Sequence, residues 1–193
     1  MKFKYNSIDV LFNIFEHLPV VLFSSSSNTT NHSNLYVPSN YLYEINQFLA
    51  SEIFFNYSFL CEQSAVDLNK TNTNWLTKVF KKIKNQTLFF SNYYIYWTQL
   101  RLTIFTLLNT KSKQRVVQSI ESIFFNSNWL EREVSEMYGV YFFQKNDCRN
   151  LLLNYSSFEN PMLKDFPCEG FQEIYYNFFE TNVTSVHIES VEL

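Results

Sequence analysis

The chain reads as α+β: two layers, helices packed on a mixed β-sheet, followed by an extended C-terminal arm. Three observations predict this. Apolar residues recur at helical spacing in three separated stretches. Runs dense in Phe, Tyr, Thr and β-branched residues lie among them. The two kinds of segment are mixed without the strict strand–helix alternation of a parallel sheet. The 193 residues suit one domain with an arm, placed at residues 1–169 and 170–193. A chain this long buries roughly two-thirds of its unfolded surface and needs no metal or disulfide staple.

The elements follow in order. Asn6 to Leu18 predicts a helix through Ile8, Leu11, Phe12 and Phe15, with Ser7 or Asp9 as cap. The polar, uncharged stretch Ser24 to Asn34 predicts a surface loop, long for a connection inside a compact domain. A second helix is expected from Pro38-Ser39-Asn40, capped by Ser39, with Glu44 in an early turn and Leu42, Ile45, Phe48 and Leu49 on its apolar line. Tyr57 to Asp67 reads as extended. Trp75 to Lys84 fits a short helix or an insertion. Leu88 to Thr98 and Leu100 to Leu108 read as strands, and Arg115 to Ile120 as a third strand or a strand–helix junction.

Composition and charge exclude several classes. The chain holds 21 Phe and 13 Tyr but only 2 Gly, where ordinary usage gives about 13. Four arginines stand against eleven lysines, so residues with GC-rich codons are scarce, as in an AT-biased organelle gene. Net charge is −3, which argues against a nucleic-acid binder. Charged residues make up 17% of the chain and hydrophobic ones 46%: too apolar for disorder, and sparsely charged for a free surface, so burial against partners is expected. No stretch is clean enough to span a bilayer, since Asp9, Asn13, Glu16, His17 and Pro19 break up Ile8 to Phe23. The same residues argue against a secretory signal, and no Arg-rich transit segment is evident. Cys61, Cys148 and Cys168 are scattered, as are His17, His32 and His187, so neither a zinc site nor an iron–sulfur cluster is expected.

From Asn128 the pattern sharpens. Asn128-Trp129-Leu130-Glu131-Arg132-Glu133-Val134-Ser135-Glu136-Met137-Tyr138-Gly139 reads as a capped helix. Asn128 is the expected N-cap, with Glu131 in capping-box position and Gly139 at the left-handed C-terminal position. Leu130, Val134, Met137 and Tyr138 form the expected core stripe, flanked by Glu131 and Glu133. Arg132 and Glu136 are an i, i+4 pair on the far side, beside Trp129. A Trp off the core stripe next to a charged pair suits a protein–protein contact.

This segment resembles a known family. Glu131-Arg132-Glu133-x-x-Glu136-Met137-Tyr138, then Lys145 and Arg149-x-Leu151-Leu152, is similar to the signature of one hydrophilic subunit of respiratory complex I, the NADH–quinone oxidoreductase. The family goes by NADH dehydrogenase subunit nine when mitochondrially encoded. Phe143 to Leu152 is similar to the family's F-x-G-H-P-D-L-R-R-I-L. Asn160-Pro161-Met162-Leu163-Lys164-Asp165-Phe166-Pro167 followed by Gly170-Phe171 is similar to H-P-L-R-K-D-F-P…G-Y. Glu173-Ile174-Tyr175-Tyr176 and Glu189 to Leu193 resemble the closing E-V-R-Y and E-P-V-E-L. Lys145, Asn146, Asn150, Asn160 and Leu163 depart from the pattern, removing titratable and bidentate groups while keeping Arg149, Lys164 and Asp165.

The resemblance implies a core subunit of proton-translocating NADH:ubiquinone oxidoreductase that is itself non-catalytic. It implies docking in the hydrophilic arm, chiefly beside the large quinone-pocket subunit, on the matrix side of the mitochondrial inner membrane. FMN, iron–sulfur clusters and quinone are expected in other subunits, with no catalytic, cofactor or metal residue in this chain. The expected interface and structural residues are Trp129, Glu131, Arg132, Glu133, Glu136, Gly139, Arg149, Lys164, Asp165, Phe166, Tyr175 and Tyr176. Lys78, Lys81, Lys82 and Lys84 with Trp75 and Phe80 leave an alternative, an organellar RNA- or ribosome-associated protein; a solvated helix face also accounts for them.

Overall fold

A computed structural model describes residues 22–25, 32–51, 58–68, 87–96, 101–109, 115–155 and 159–188. The expected first helix and the Trp75 to Lys84 run lie outside these residues. The main sheet has five strands in the order β1-β2-β5-β4-β3. They are β1 (Leu22–Ser25), β2 (His32–Tyr36), β3 (Ser58–Asp67), β4 (Thr87–Tyr96) and β5 (Arg101–Asn109). Among the described strands of this sheet, only β2 and β5 pair in parallel; the other neighbours are antiparallel. The sheet is therefore mixed.

The polar stretch expected as one long loop is instead taken up at both ends by pairing. Ser24 and Ser25 belong to β1, and His32, Ser33 and Asn34 to β2, in register Ser24↔Asn34 and Ser25↔Ser33. Backbone ladders form between residues that carry no apolar alternation, a pattern that periodicity in side chains does not report.

One face of the sheet is the core face. Leu102, Ile104, Thr106 and Leu108 of β5 alternate inward, opposite Tyr94, Asn92 and Phe90 of β4. On β3 the register slips between Leu60 and Glu62, so Leu60 and Gln63, three apart, both point to the core while Cys61 is exposed. The other face carries a smaller cluster in which Tyr36 stacks on its register partner Phe105 at 5.3 Å.

Helix α1 (Leu42–Ser51) buries Leu42, Ile45 and Leu49 on the core face. Its start differs from expectation: a 3-10 turn, Ser39–Tyr41, precedes it with Pro38 at the cap position. Ser39 bonds its neighbour Asn40 and does not cap the helix. A buried Asn46 donates to the Leu42 carbonyl and accepts from the Tyr94 hydroxyl, fastening α1 to β4.

The second helix, α2 (Ser127–Tyr138), connects β6 (Val116–Gln118) to β7 (Tyr141–Phe143), which pair in parallel. Val117 and Phe142 point inward, and Phe142 meets Phe90 edge-on at 5.9 Å. This strand–helix–strand unit shares one core with the main sheet. The last elements, β8 (Gln172–Asn177) and β9 (Asn182–His187), form an antiparallel hairpin. The arm's described residues are extended backbone doubled back on itself: each strand supplies the pairing partner the other lacks.

Candidate functional site

Most of the residues singled out from sequence lie on α2 or on the two segments that wrap it, 144–155 and 159–167; Tyr175 and Tyr176 lie on β8. The expected capping box is absent. The helix begins at Ser127, and its cap position is Asn126, whose side chain makes no cap bond and reaches the Leu60 carbonyl instead. Asn128 donates to Glu121 at 2.5 Å. Glu131 is released to face inward.

Glu131 is fully buried. Its Oε2 accepts from the Ser119 hydroxyl at 2.7 Å and from Lys145 Nζ at 3.1 Å, and its Oε1 accepts from the Ile120 amide at 2.8 Å. Lys145 also lies 3.4 Å from Glu121. A buried carboxylate is tolerable only when neutralised and fully hydrogen-bonded, and both conditions hold. Lys145 stands where the family pattern has His. The side chain expected to be a loss of titratable chemistry is the counter-ion of the buried acid.

Arg132 and Glu136 do share a helix face, but that face is covered. Segment 147–153 lies across it, leaving each about nine-tenths buried. Arg132 donates Nε to the Arg149 carbonyl at 2.7 Å and Nη2 to the Asn150 carbonyl at 3.0 Å, with Nη1 3.5 Å from Asp147. Glu136 accepts the amides of Leu151, Leu152 and Leu153, the latter two at 2.9 Å. One side chain thus satisfies two carbonyls and the other three amides of a segment without regular structure of its own. Because Arg132 reads the Asn150 backbone, the loss of the family's second Arg there does not touch this contact.

The C-terminus of α2 is pinned as tightly. Gly139 adopts φ +67°, and its amide reaches the Ser135 carbonyl. Arg115 Nη1 donates to the Tyr138 carbonyl at 2.6 Å, a cation at the negative end of the helix. A Cβ on Gly139 would lie 2.6 Å from Asn160 Nδ2, so the 159–167 segment packs directly on this bend. That segment also bonds Met162 N–H to the Met137 carbonyl and Lys164 N–H to Asp67 at the end of β3.

The side chains of the remaining expected residues are not brought into this cluster. Glu133, Lys164 and Asp165 have exposed side chains. Arg149 is also exposed and forks onto Asp147 at 2.8 and 3.0 Å, holding that carboxyl well below the usual carboxylate range. Phe166 packs edge-on against Phe171 at 5.4 Å. Tyr175 and Tyr176 are exposed on opposite faces of the hairpin. Trp129 is 67% exposed and, with Phe125, presents outward aromatic surface.

Sequence reasoning missed Lys145 and Glu121 as an ionic pair, Ser119 as a carboxylate donor, and Arg115 as the helix-end cation. All of these contacts join positions well apart in sequence; only the resemblance, which marks position 145, bears on any of them.

A cavity of about 290 Å³ lies between helix and wrap, lined by Arg132, Glu136, Tyr141, Lys145, Arg149 and Asn160. Of its charged lining groups, Arg132 and Glu136 hold backbone, and Lys145 and Arg149 pair with the carboxylates of Glu131 and Asp147. Among the described residues no group of three or more His, Cys, Asp or Glu could hold a metal ion, and no helix is long and apolar enough to cross a membrane.

Comparison with known proteins places these features in a family. The family described as respiratory-chain NADH dehydrogenase, 30 Kd subunit, matches residues 35–172. NADH-ubiquinone oxidoreductase subunit 9 of Paramecium primaurelia is 35% identical over 100% of this chain and 90% of its own length. The protein of the same name from Paramecium tetraurelia is 32% identical over the same shares. A chain of the archaeal membrane-bound sulfane sulfur reductase has the same fold, with TM-score 0.66 at 15% identity over 85% of this chain and 87% of its own. The RNA- or ribosome-associated alternative finds no support among these relatives. The chain belongs to the family of the 30 kDa subunit of respiratory-chain NADH dehydrogenase.

Proposed function

We propose that this chain is a non-catalytic core subunit of proton-translocating NADH:ubiquinone oxidoreductase, respiratory complex I, and that its task is rigid docking in the hydrophilic arm. Its neighbour in this reading is the large subunit that forms the quinone pocket, and FMN, iron–sulfur clusters and quinone are held by other subunits. The place is the matrix side of the mitochondrial inner membrane, with the gene in the mitochondrion. The relatives' name, NADH-ubiquinone oxidoreductase subunit 9, supports the complex.

The observation that carries the mechanical role is how the charges on α2 are used. Glu131, Arg132 and Glu136 are consumed in holding backbone and counter-ion, whereas Trp129, Phe125 and the hairpin aromatics face outward. A general acid or base needs a free lone pair or proton within reach of substrate. Here those valences are spent on shape. The outward aromatics are the kind of side chain that anchors protein interfaces. The exposed charges of Arg149, Lys164 and Asp165 suit the polar rim of such an interface.

The test is a native gel of solubilised membranes, immunoblotted for this chain, with mass spectrometry of the band. Wild-type chain is expected to migrate with NADH dehydrogenase activity. The chain with Trp129→Ala is expected to keep its circular dichroism, and the chain lacking residues 170–193 to lose only the hairpin's contribution, yet both are expected to leave that band. Normal entry of the truncated chain, or substrate turnover by the purified chain alone, would refute the reading.

A further inference from the structure

The charge of this chain is divided. Every lysine and arginine lies at or before Lys164, and six carboxylates follow it: Asp165, Glu169, Glu173, Glu180, Glu189 and Glu192. The net −3 therefore splits into −6 on the C-terminal segment and +3 on residues 1–164. The structure shows what this charge accompanies. In the β8–β9 hairpin, Glu173 shares a face with Tyr175, opposite Val186 and Thr184, while Ile174 and Tyr176 share the other face with Val183. The connecting turn exposes Phe178 and Phe179, the latter completely, with Glu180 next to them.

A two-stranded ribbon has no core of its own and is marginal alone in water. This one carries apolar side chains outward on both faces and at its tip, so it needs a cover. The charge selects among covers. An anionic bilayer surface repels six carboxylates, and so does a nucleic-acid backbone. A protein surface bearing arginine or lysine beside apolar pockets fits both properties: a guanidinium pairs with a carboxylate and stacks on a neighbouring Tyr or Phe.

We propose that the hairpin docks on a basic, apolar-pocketed groove of a neighbouring polypeptide, where Glu173 and Glu180 pair with its cations and Phe178 and Phe179 fill its pockets. This deepens the docking reading above and rests on it. The carboxylates set register and association rate, and the aromatics supply most of the hold.

The experiment uses the full chain in the assembled complex. Three variants are compared: Glu173→Lys with Glu180→Lys, Glu173→Gln with Glu180→Gln, and Phe178→Ala with Phe179→Ala. All four positions are exposed, and circular dichroism checks the fold. Charge reversal is expected to lower the fraction of chain in the native-gel band by about tenfold, and the neutral variant by less. The wild-type chain is expected to be stripped from the complex as KCl rises. If the reversed chain enters as wild type while the aromatic variant does not, the charge inference fails and the docking reading stands. If both enter normally, both fail. Association of the purified chain with itself that charge reversal abolishes overturns the proposed occupant in favour of a second copy. Co-sedimentation with phosphatidylcholine or phosphatidylserine vesicles overturns it in favour of a membrane.

Discussion

The ammonium of Lys145 lies 3.1 Å from a carboxylate oxygen of Glu131, with their side chains 2% and 0% exposed. The pair joins the middle of α2 to the segment after β7, fourteen residues away. It ties that segment to the helix as the chain leaves the sheet. Breaking such a pair from one side is costly because it leaves the other charge buried and uncompensated.

Lys145→Met is therefore expected to destabilise the chain by about 3–5 kcal/mol. Lys145→Met combined with Glu131→Gln is expected to cost much less, since the one charge left without its cation, Glu121, is partly exposed and still held by Asn128. Urea unfolding of the wild-type, single and double variants measures this. Equal losses in the single and double variants would show that the ion pair is not the source of the cost.

Glu136 holds three consecutive amides, so Glu136→Ala strands three donors at once. A loss of about 3 kcal/mol is expected, on the scale of hydrogen bonds to a charged acceptor. The local readout is amide exchange: protection at Leu151, Leu152 and Leu153 should fall together, while β4 and β5 keep theirs. Unchanged exchange at these three amides would contradict the clamp.

Gly139→Ala meets a left-handed backbone and two close side chains, Asn160 Nδ2 at 2.6 Å and Arg115 Nη1 at 3.2 Å from the new Cβ. About 1–3 kcal/mol of strain is expected. Asn160→Ala alongside it should recover only the contact with Asn160, because Arg115 Nη1 still lies 3.2 Å from the new Cβ and φ +67° remains unfavourable for a side chain. Thermal unfolding of the single and double variants separates the two contributions.

Acid and alkali are expected to act through different groups. Side-chain and backbone hydrogen bonds with Arg149 hold the Asp147 carboxyl below its ordinary range, so it binds protons less readily folded than unfolded. Its stabilising contribution is present above about pH 4 and fades as pH falls further. Asp147→Asn should flatten that acid limb of the stability profile. Tyr138 titrates at the other end: burial, with Asp67 and Glu133 nearby, raises its hydroxyl. Its contribution holds below about pH 10, its ordinary value, and is lost as pH rises beyond it, a loss that Tyr138→Phe should remove.

Local pattern alone predicts the α+β class, α1 up to its first turn, β3 to β5 within a few residues, and α2 with its glycine stop. The family resemblance is specific over roughly the last third of the chain, from Glu131 onward. These are properties of neighbours along the chain: apolar spacing, turn chemistry and motif. The use to which α2 puts its charges is a matter of the assembled fold. A helical wheel assigns Arg132 and Glu136 to the far side because it knows one helix; the wrap of residues 147–153 over that face buries them. Glu131 reads as a capping residue for the same reason, since the partners that draw it inward, Ser119 and Lys145, are twelve and fourteen residues away. Pairing in β1–β2 and in the terminal hairpin is equally hidden, because backbone ladders leave little trace in side-chain pattern. Order along the chain singles out Glu131, Arg132, Glu136 and Gly139 but not Ser119, Glu121 or Arg115. How they are used follows only from folding, which brings distant groups within hydrogen-bonding range where burial makes an unmet charge prohibitive.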